Sequence, residues 1–141
     1  MLRFELEKEL LAGKADFKTL PDLWNSKMQE YLGVTPDSDA NGVLQDVHWS
    51  AGILGYFPTY ALGNIISGQL WKKVRSEMPD LDDKLRSGDF KPLLAWLRTN
   101  VHEHACKFLP GELISKITGG PIDSAPYISY LKEKFLAIYG A

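Results

Sequence analysis

Gly42-Val-Leu-Gln-Asp-Val-His-Trp-Ser-Ala-Gly-Ile-Leu-Gly-Tyr-Phe-Pro-Thr-Tyr-Ala-Leu-Gly63 is the stretch on which the reading of this chain turns. From Val43 to Tyr56 the pattern is mixed, a short helix plus irregular backbone, marked by Gly52 and Gly55. Pro58 then opens the longest helix, roughly Thr59 to Met78, with Leu62, Ile65, Ile66, Leu70, Trp71 and Val74 at its apolar positions. Gly63 and Gly68 inside it each cost about 1 kcal/mol against Ala. Glycines kept there mark close packing on another helix. The same stretch sets Gln45, Asp46, His48, Tyr56 and Tyr60 among glycines and aromatics, the density of polar chemistry expected of part of an active site.

Working outward, Leu2, Leu6, Glu9 and Leu10 give a partial helical stripe that Phe4 and Leu11 widen and Gly13 stops. Leu20, Leu23, Trp24, Met28, Tyr31 and Leu32 mark a second helix around Pro21, ended by Gly33. Thr35 to Gly42 is a turn-rich loop. Downstream, Pro79 breaks the long helix. A short polar helix follows from Asp80 to Arg86. Asp89 can cap the next, with Phe90, Leu93, Leu94, Leu97, Val101 and His104 on one face until Leu109-Pro110-Gly111. Glu112 to Thr118 is a further helix. A last one runs from about Ala125 to Tyr139 with Tyr127, Tyr130, Leu131, Phe135 and Ile138 inward. No segment alternates cleanly with period two, so the chain reads as all-α.

The 141 residues make one domain's worth of chain, a single helical domain or fragment over 1–141. The net charge of −2 without a Lys/Arg stripe argues against nucleic-acid or anionic-membrane partners. No apolar run approaches the roughly 20 residues of a membrane span. Cys106 is alone, which fits a reducing compartment and a cytoplasmic protein. The opening Met1-Leu-Arg-Phe-Glu-Leu-Glu-Lys reads as a helix already under way with no capping residue before it, the expectation for a cut chain.

Three histidines carry the candidate chemistry. His102-Glu103-His104 invites a metal reading. However, residues two apart on a helix point about 200° apart and cannot grip one ion. One packed and one solvated histidine is the better account. His48 is followed by Tyr56 and Tyr60, and a His and a Tyr that converge can both donate to a developing oxyanion, worth about 3–4 kcal/mol when preorganised. Gln45 and Asp46 can orient His48 or bind a peptide backbone. The same residues also fit a buried polar network fixing a helix bend, and residue chemistry alone leaves both readings open. Asp80, Asp82 and Asp83 fit a solvated helix start rather than a calcium loop.

Gly42-Val-Leu-Gln45-Asp46-Val-His48-Trp49 resembles the G-x-x-Q-D-x-H-W motif of the thermostable zinc carboxypeptidase family typified by carboxypeptidase Taq. Gly55 to Gly63, the opening Leu2-Arg-Phe-Glu-Leu-Glu-Lys and the closing Leu131-Lys-Glu-Lys-Phe resemble segments of the same family, collinear with the motif. The resemblance implies the C-terminal helical portion of a larger, mostly helical, zincin-like metallopeptidase that hydrolyses C-terminal peptide bonds. It implies zinc or another divalent metal in the parent family, held upstream by an H-E-x-x-H helix and a downstream Glu. That metal would activate water and polarise the carbonyl, with the Glu of H-E-x-x-H as base. No metal ligand is expected in this chain, so none would bind to it alone. His48 and Tyr60, with Tyr56 as the alternative, would contact the substrate or its tetrahedral intermediate. Gln45 and Asp46 would shape the substrate cleft, with Trp49 packing behind. Relatives tend to have His-x-His-Gly where this chain has His102-Glu-His104-Ala105, and Ala is expected to leave a helix there intact.

The implied partners are a peptide C-terminus, the missing N-terminal region and, since the family is often dimeric, a second copy. The chain alone is expected to be inactive, with substrate-carboxylate recognition unassigned and Arg3, Arg75, Arg86 and Arg98 on solvated faces. An alternative of another class is a stand-alone, non-catalytic helical domain that self-associates or binds peptides.

Overall fold

The helices expected from the sequence all form in the computed structural model, which describes residues 1–140, with several ends shifted by a few residues. The helices are α1 (Leu2–Leu11), α2 (Leu20–Leu32), α3 (Val47–Ser50), α4 (Phe57–Glu77), α5 (Leu81–Arg86), α6 (Lys91–Asn100), α7 (Pro110–Thr118) and α8 (Ala125–Tyr139). Among the described residues there is no strand, and the fold is all-α. Short 3-10 turns fill Asp39–Asn41, Val43–Gln45 and His102–His104. No described helix is long and apolar enough to cross a membrane.

Two compact units make up the chain, residues 1–61 and 62–141, with the boundary inside α4. In the first, α1 and α2 pack through Leu6, Leu20 and Trp24. Val43 joins them from the turn after Gly42, and Leu2, Leu10, Leu23, Met28 and Trp49 lie around the cluster. The Leu2, Leu6, Leu10 stripe is therefore the core face of α1. Gly33 ends α2 at φ 67°, a conformation that suits glycine. On the rim of this unit, Glu5 accepts from the Tyr31 hydroxyl at 2.5 Å and from Lys27 Nζ at 2.9 Å. The Tyr31 hydrogen bond, then Lys27, holds the Glu5 carboxyl below its ordinary value. The same bonds to Glu5 push Tyr31 and Lys27 upward.

In the second unit the buried apolar residues are Val74, Leu81, Ile114 and Ile117. Gln69 is buried with them and fully engaged. Its Nε2 donates to Thr118 Oγ1 at 3.1 Å and to Pro121 O at 2.9 Å, and its Oε1 accepts from Asp123 N at 3.0 Å. Those three bonds tie the turn between α7 and α8 to α4. Gly68 is a close approach: a Cβ there would lie 2.9 Å from both Cα and Cβ of Tyr127. Gly63 has nothing within 4 Å, so the packing expected of both glycines holds for Gly68 alone.

Two further expectations are corrected. The helix carrying Phe90 to Val101 does not reach His104. It ends at Asn100, because Val101 turns to φ −121°, ψ −61° and Ala105 takes φ 46°, ψ −125°, both outside helical space. Ala105 thus occupies a backbone region that L side chains rarely adopt. The last helix does form over Ala125–Tyr139, but it has no buried residue. Tyr130, Phe135 and Ile138, expected inward, are about half exposed, because no second element of the described chain covers that side.

Candidate functional site

The residues singled out around His48 all fall in the first unit, where Asp46, Tyr56 and Tyr60 converge on the imidazole and Gln45 does not. Local backbone chemistry places them. Asp46 caps α3: its Oδ1 accepts from the backbone amides of His48 at 2.8 Å and Trp49 at 3.1 Å. That cap fixes where a four-residue helix starts and therefore where His48 points. The chain then passes through Gly52 and Gly55, both at left-handed φ (71° and 79°), and enters α4 at Phe57. Pro58 lies in the first helical turn, where a missing amide hydrogen is harmless.

His48 Nε2 lies 3.0 Å from the Tyr60 hydroxyl. The opposite ring nitrogen, Nδ1, is 3.5 Å from Asp46 Oδ1. A carboxylate at Nδ1 favours the tautomer that carries its proton there. In that tautomer Nε2 accepts from the Tyr60 hydroxyl; with the proton on Nε2 the bond runs the other way. Tyr56 stacks on the imidazole with ring centroids 5.7 Å apart, and Phe57 meets it edge-on at 5.0 Å. Tyr56 and Tyr60 also touch edge to face at 5.2 Å, so the two tyrosines share a face across the start of α4. His48 therefore sits in an aromatic frame with one hydroxyl on its outer nitrogen. Tyr56 and Tyr60 remain exposed.

Asp46 is sealed behind this pair, with its side chain 0% exposed. Its second oxygen accepts from Arg3 Nε at 3.0 Å. The Arg3 guanidinium in turn lies over Trp24 at 5.1 Å and Phe57 at 5.8 Å. Arg3 is half exposed, as expected of a solvated face, and it also ion-pairs with this buried carboxylate, which the sequence did not show. Trp49 packs edge-on against Trp24 at 6.2 Å and Phe57 at 6.0 Å. Gln45 is exposed and its side-chain amide donates to Ala40 O, closing the preceding turn.

Glu7 is a residue that sequence reasoning passed over. It is 2% exposed, and its Oε1 accepts from Gly55 N at 2.8 Å and from Trp49 Nε1 at 3.4 Å. One signal was available. Arg3 and Glu7 are four apart, on a face beside the apolar stripe, and two opposite charges there usually pair with each other. Here each reaches inward to a different partner.

Among the described residues no group of three or more His, Cys, Asp or Glu side chains is arranged to hold a metal ion. A catalytic zinc site takes three protein ligands, and His48 has Asp46 alone beside it. His102 is exposed and His104 packs edge-on against Phe108 at 5.4 Å. The donor set of the described residues does not fit a metal centre.

The sequence profile of the family described as carboxypeptidase Taq (M32) metallopeptidase matches residues 1–135. The chain is 39% identical to thermostable carboxypeptidase 1 of Thermus thermophilus, covering 99% of this chain and 28% of that protein. It is 41% identical to carboxypeptidase 1 of Bacillus subtilis, with the same two shares. Among solved structures, the M32 carboxypeptidase of Deinococcus radiodurans superposes with a TM-score of 0.95 at 41% identity, over 99% of this chain and 28% of that one. The chain thus spans little more than a quarter of the length of the relatives it matches.

Proposed function

Because the chain belongs to the carboxypeptidase Taq (M32) metallopeptidase family, we propose that it forms the hydrogen-bonding wall of a carboxypeptidase site that hydrolyses C-terminal peptide bonds. The observation that carries this is the 3.0 Å contact between His48 Nε2 and the Tyr60 hydroxyl at an exposed surface. Hydrolysis of a peptide bond moves negative charge onto the carbonyl oxygen, and preorganised donors aimed at that oxygen are worth about 3–4 kcal/mol each. With His48 neutral, its Nε2 holds the Tyr60 proton. When Nε2 is protonated it becomes a donor, and the Tyr60 hydroxyl is released to donate outward. Only the second state presents a proton toward the substrate side, from the Tyr60 hydroxyl, with Nε2 donating to the Tyr60 oxygen.

In this reading Asp46 acts through His48, setting its tautomer and, by the α3 cap, its position. Tyr56 frames the imidazole, Trp49 packs behind it and Gln45 shapes the rim of the cleft. The metal implied by the family would be held on the part of the relatives that this chain does not span, so the 141 residues alone are proposed to be inactive. The lone exposed Cys106 supports a reducing, cytoplasmic setting.

A chimera tests this. The corresponding 28% of the Bacillus subtilis carboxypeptidase is replaced by this chain, and hydrolysis of a peptide with a free C-terminus is measured. The chimera is expected to be active, with His48→Ala and Tyr60→Phe each lowering kcat/KM by about 100-fold or more. Unchanged kcat/KM in both variants, with the fold intact, would remove the proposed role.

One observation favours a second reading. The apolar side of α8, with Phe135, Leu136, Ile138 and Tyr139, is exposed, which suits a self-associating helical domain. A mass that rises with concentration in solution would support it.

A further inference from the structure

We propose that Glu7 is a positioning residue for the His48–Tyr60 pair, an inference that rests on the catalytic reading of that pair. His48 stands on α3 and Tyr60 on α4, and the segment between them carries two left-handed glycines, Gly52 and Gly55. A segment of that kind is free to let the two helices drift apart. Its early part folds back on α3, through Gly52 N to Trp49 O at 3.0 Å and Ile53 N to His48 O at 2.8 Å. Its late part, just before Tyr56, is held by Glu7. Oε1 grips the backbone amide of Gly55 and the indole of Trp49 at once, so a single atom joins α3 to the entrance of α4.

The environment makes this an expensive tie. Glu7 is almost fully buried, and among the described residues it has no ion-pair partner. Burying a carboxylate without a cation is costly, and hydrogen bonds offset only part of that cost. An apolar residue such as the neighbouring Leu6 would fill the same core without that cost. What the carboxylate supplies instead is a fixed acceptor at the junction of the two elements that carry the candidate donors. The spacing between His48 and Tyr60 is thereby set from α1, a helix that touches neither side chain by hydrogen bond. Misplacing reacting groups by about 1 Å can cost on the order of 100-fold in rate.

Two variants separate positioning from mere support of the fold. Glu7→Gln keeps a carbonyl oxygen that can accept both bonds. Glu7→Asp keeps the charge but is one methylene too short to reach Gly55 and Trp49 together. The first readout is nitrogen-detected NMR of the histidine rings in the 141-residue chain, with His102 and His104 as internal controls and Tyr60→Phe identifying the His48 Nε2 signal. The second is kcat and KM of the chimera. The expected result is an altered His48 Nε2 signal in Glu7→Asp with the other two histidines unmoved, a kcat lowered about 10-fold or more at nearly constant KM, and near wild-type behaviour in Glu7→Gln. A His48 signal in Glu7→Asp identical to wild type overturns the proposal. So does an altered signal in Glu7→Gln equal to that in Glu7→Asp. Should Glu7→Asp shift the His48 signal while neither it nor Tyr60→Phe changes kcat, the tie by Glu7 stands and the catalytic reading of the pair falls.

Discussion

Arg3 and Asp46, 43 positions apart in the chain, meet at 3.0 Å with the carboxylate sealed from solvent and the guanidinium half exposed. The pair links the first helix to the cap of the helix that bears His48, so it couples folding of the unit to the geometry of the candidate site. Replacing Arg3 by Met keeps the apolar stem but leaves a buried charge without its cation. Loss of about 2 kcal/mol is expected, below the usual cost of breaking a fully buried pair because Arg3 is partly solvated. Asp46→Ala also removes the α3 cap, worth about 1 kcal/mol. Urea unfolding of the single and double variants checks both, and strictly additive losses would show that the pair is not coupled.

Stability of the first unit should fall on both sides of neutrality. Glu5 is depressed, first by the Tyr31 hydroxyl and then by Lys27. Its contribution is present above the ordinary carboxylate range and lost as pH falls through the lowered folded value. Tyr31 and Lys27 are raised, chiefly by the hydrogen bond to Glu5. Theirs are present below about pH 10 and lost as pH rises through the raised folded values. Urea midpoints at acid, neutral and alkaline pH should show both limbs, and Glu5→Gln should flatten them.

The two glycines inside α4 should respond in opposite directions to the same change. Gly68→Ala places a methyl 2.9 Å from Tyr127 backbone and Cβ atoms, and overpacking of that kind costs about 1–3 kcal/mol. Gly63→Ala meets nothing within 4 Å and should gain up to about 1 kcal/mol from helix propensity. Thermal unfolding decides it.

Ala105→Gly should stabilise the chain. Ala105 holds φ 46°, and an L residue in such a region stores about 1–3 kcal/mol. A higher Tm in the glycine variant is the expected outcome. An unchanged Tm would mean that the turn relaxes at no cost.

Peptidase activity of the 141 residues alone, with zinc added, should stay at background against a peptide with a free C-terminus. Rates that rise in proportion to enzyme and vanish in His48→Ala would require a metal centre assembled from this chain.

Helix positions were legible because Pro and Gly punctuate them. Gly33 closes α2, Pro58 sits in the first turn of α4, and Gly140 stands at the end of α8. The end of α6 was not legible, since the apolar pattern continues through Val101 and His104 while the backbone turns away. His48 and Tyr60 were recognisable as residue types, and the spacing of 12 allows their contact without requiring it. Glu7 was invisible for a different reason. Three acidic residues, Glu5, Glu7 and Glu9, alternate on one short helix, and only the packing of Trp49 and Gly55 against α1 distinguishes the buried one from its neighbours. Apolar periodicity likewise marked α8 as amphipathic without saying what it faces.

The burial of Asp46 has a consequence for ionic strength. At 0.1 M electrolyte, charges separated by about 10 Å of solvent scarcely feel one another, but sealed contacts are little affected. The rim cluster of Glu5, Lys27 and Glu9 should weaken as electrolyte is added. Orientation of His48, inherited from a carboxylate with 0% of its side chain in water, should persist. The candidate donors are thus insulated from the medium in which a substrate arrives, and only the approach of that substrate should vary with its composition.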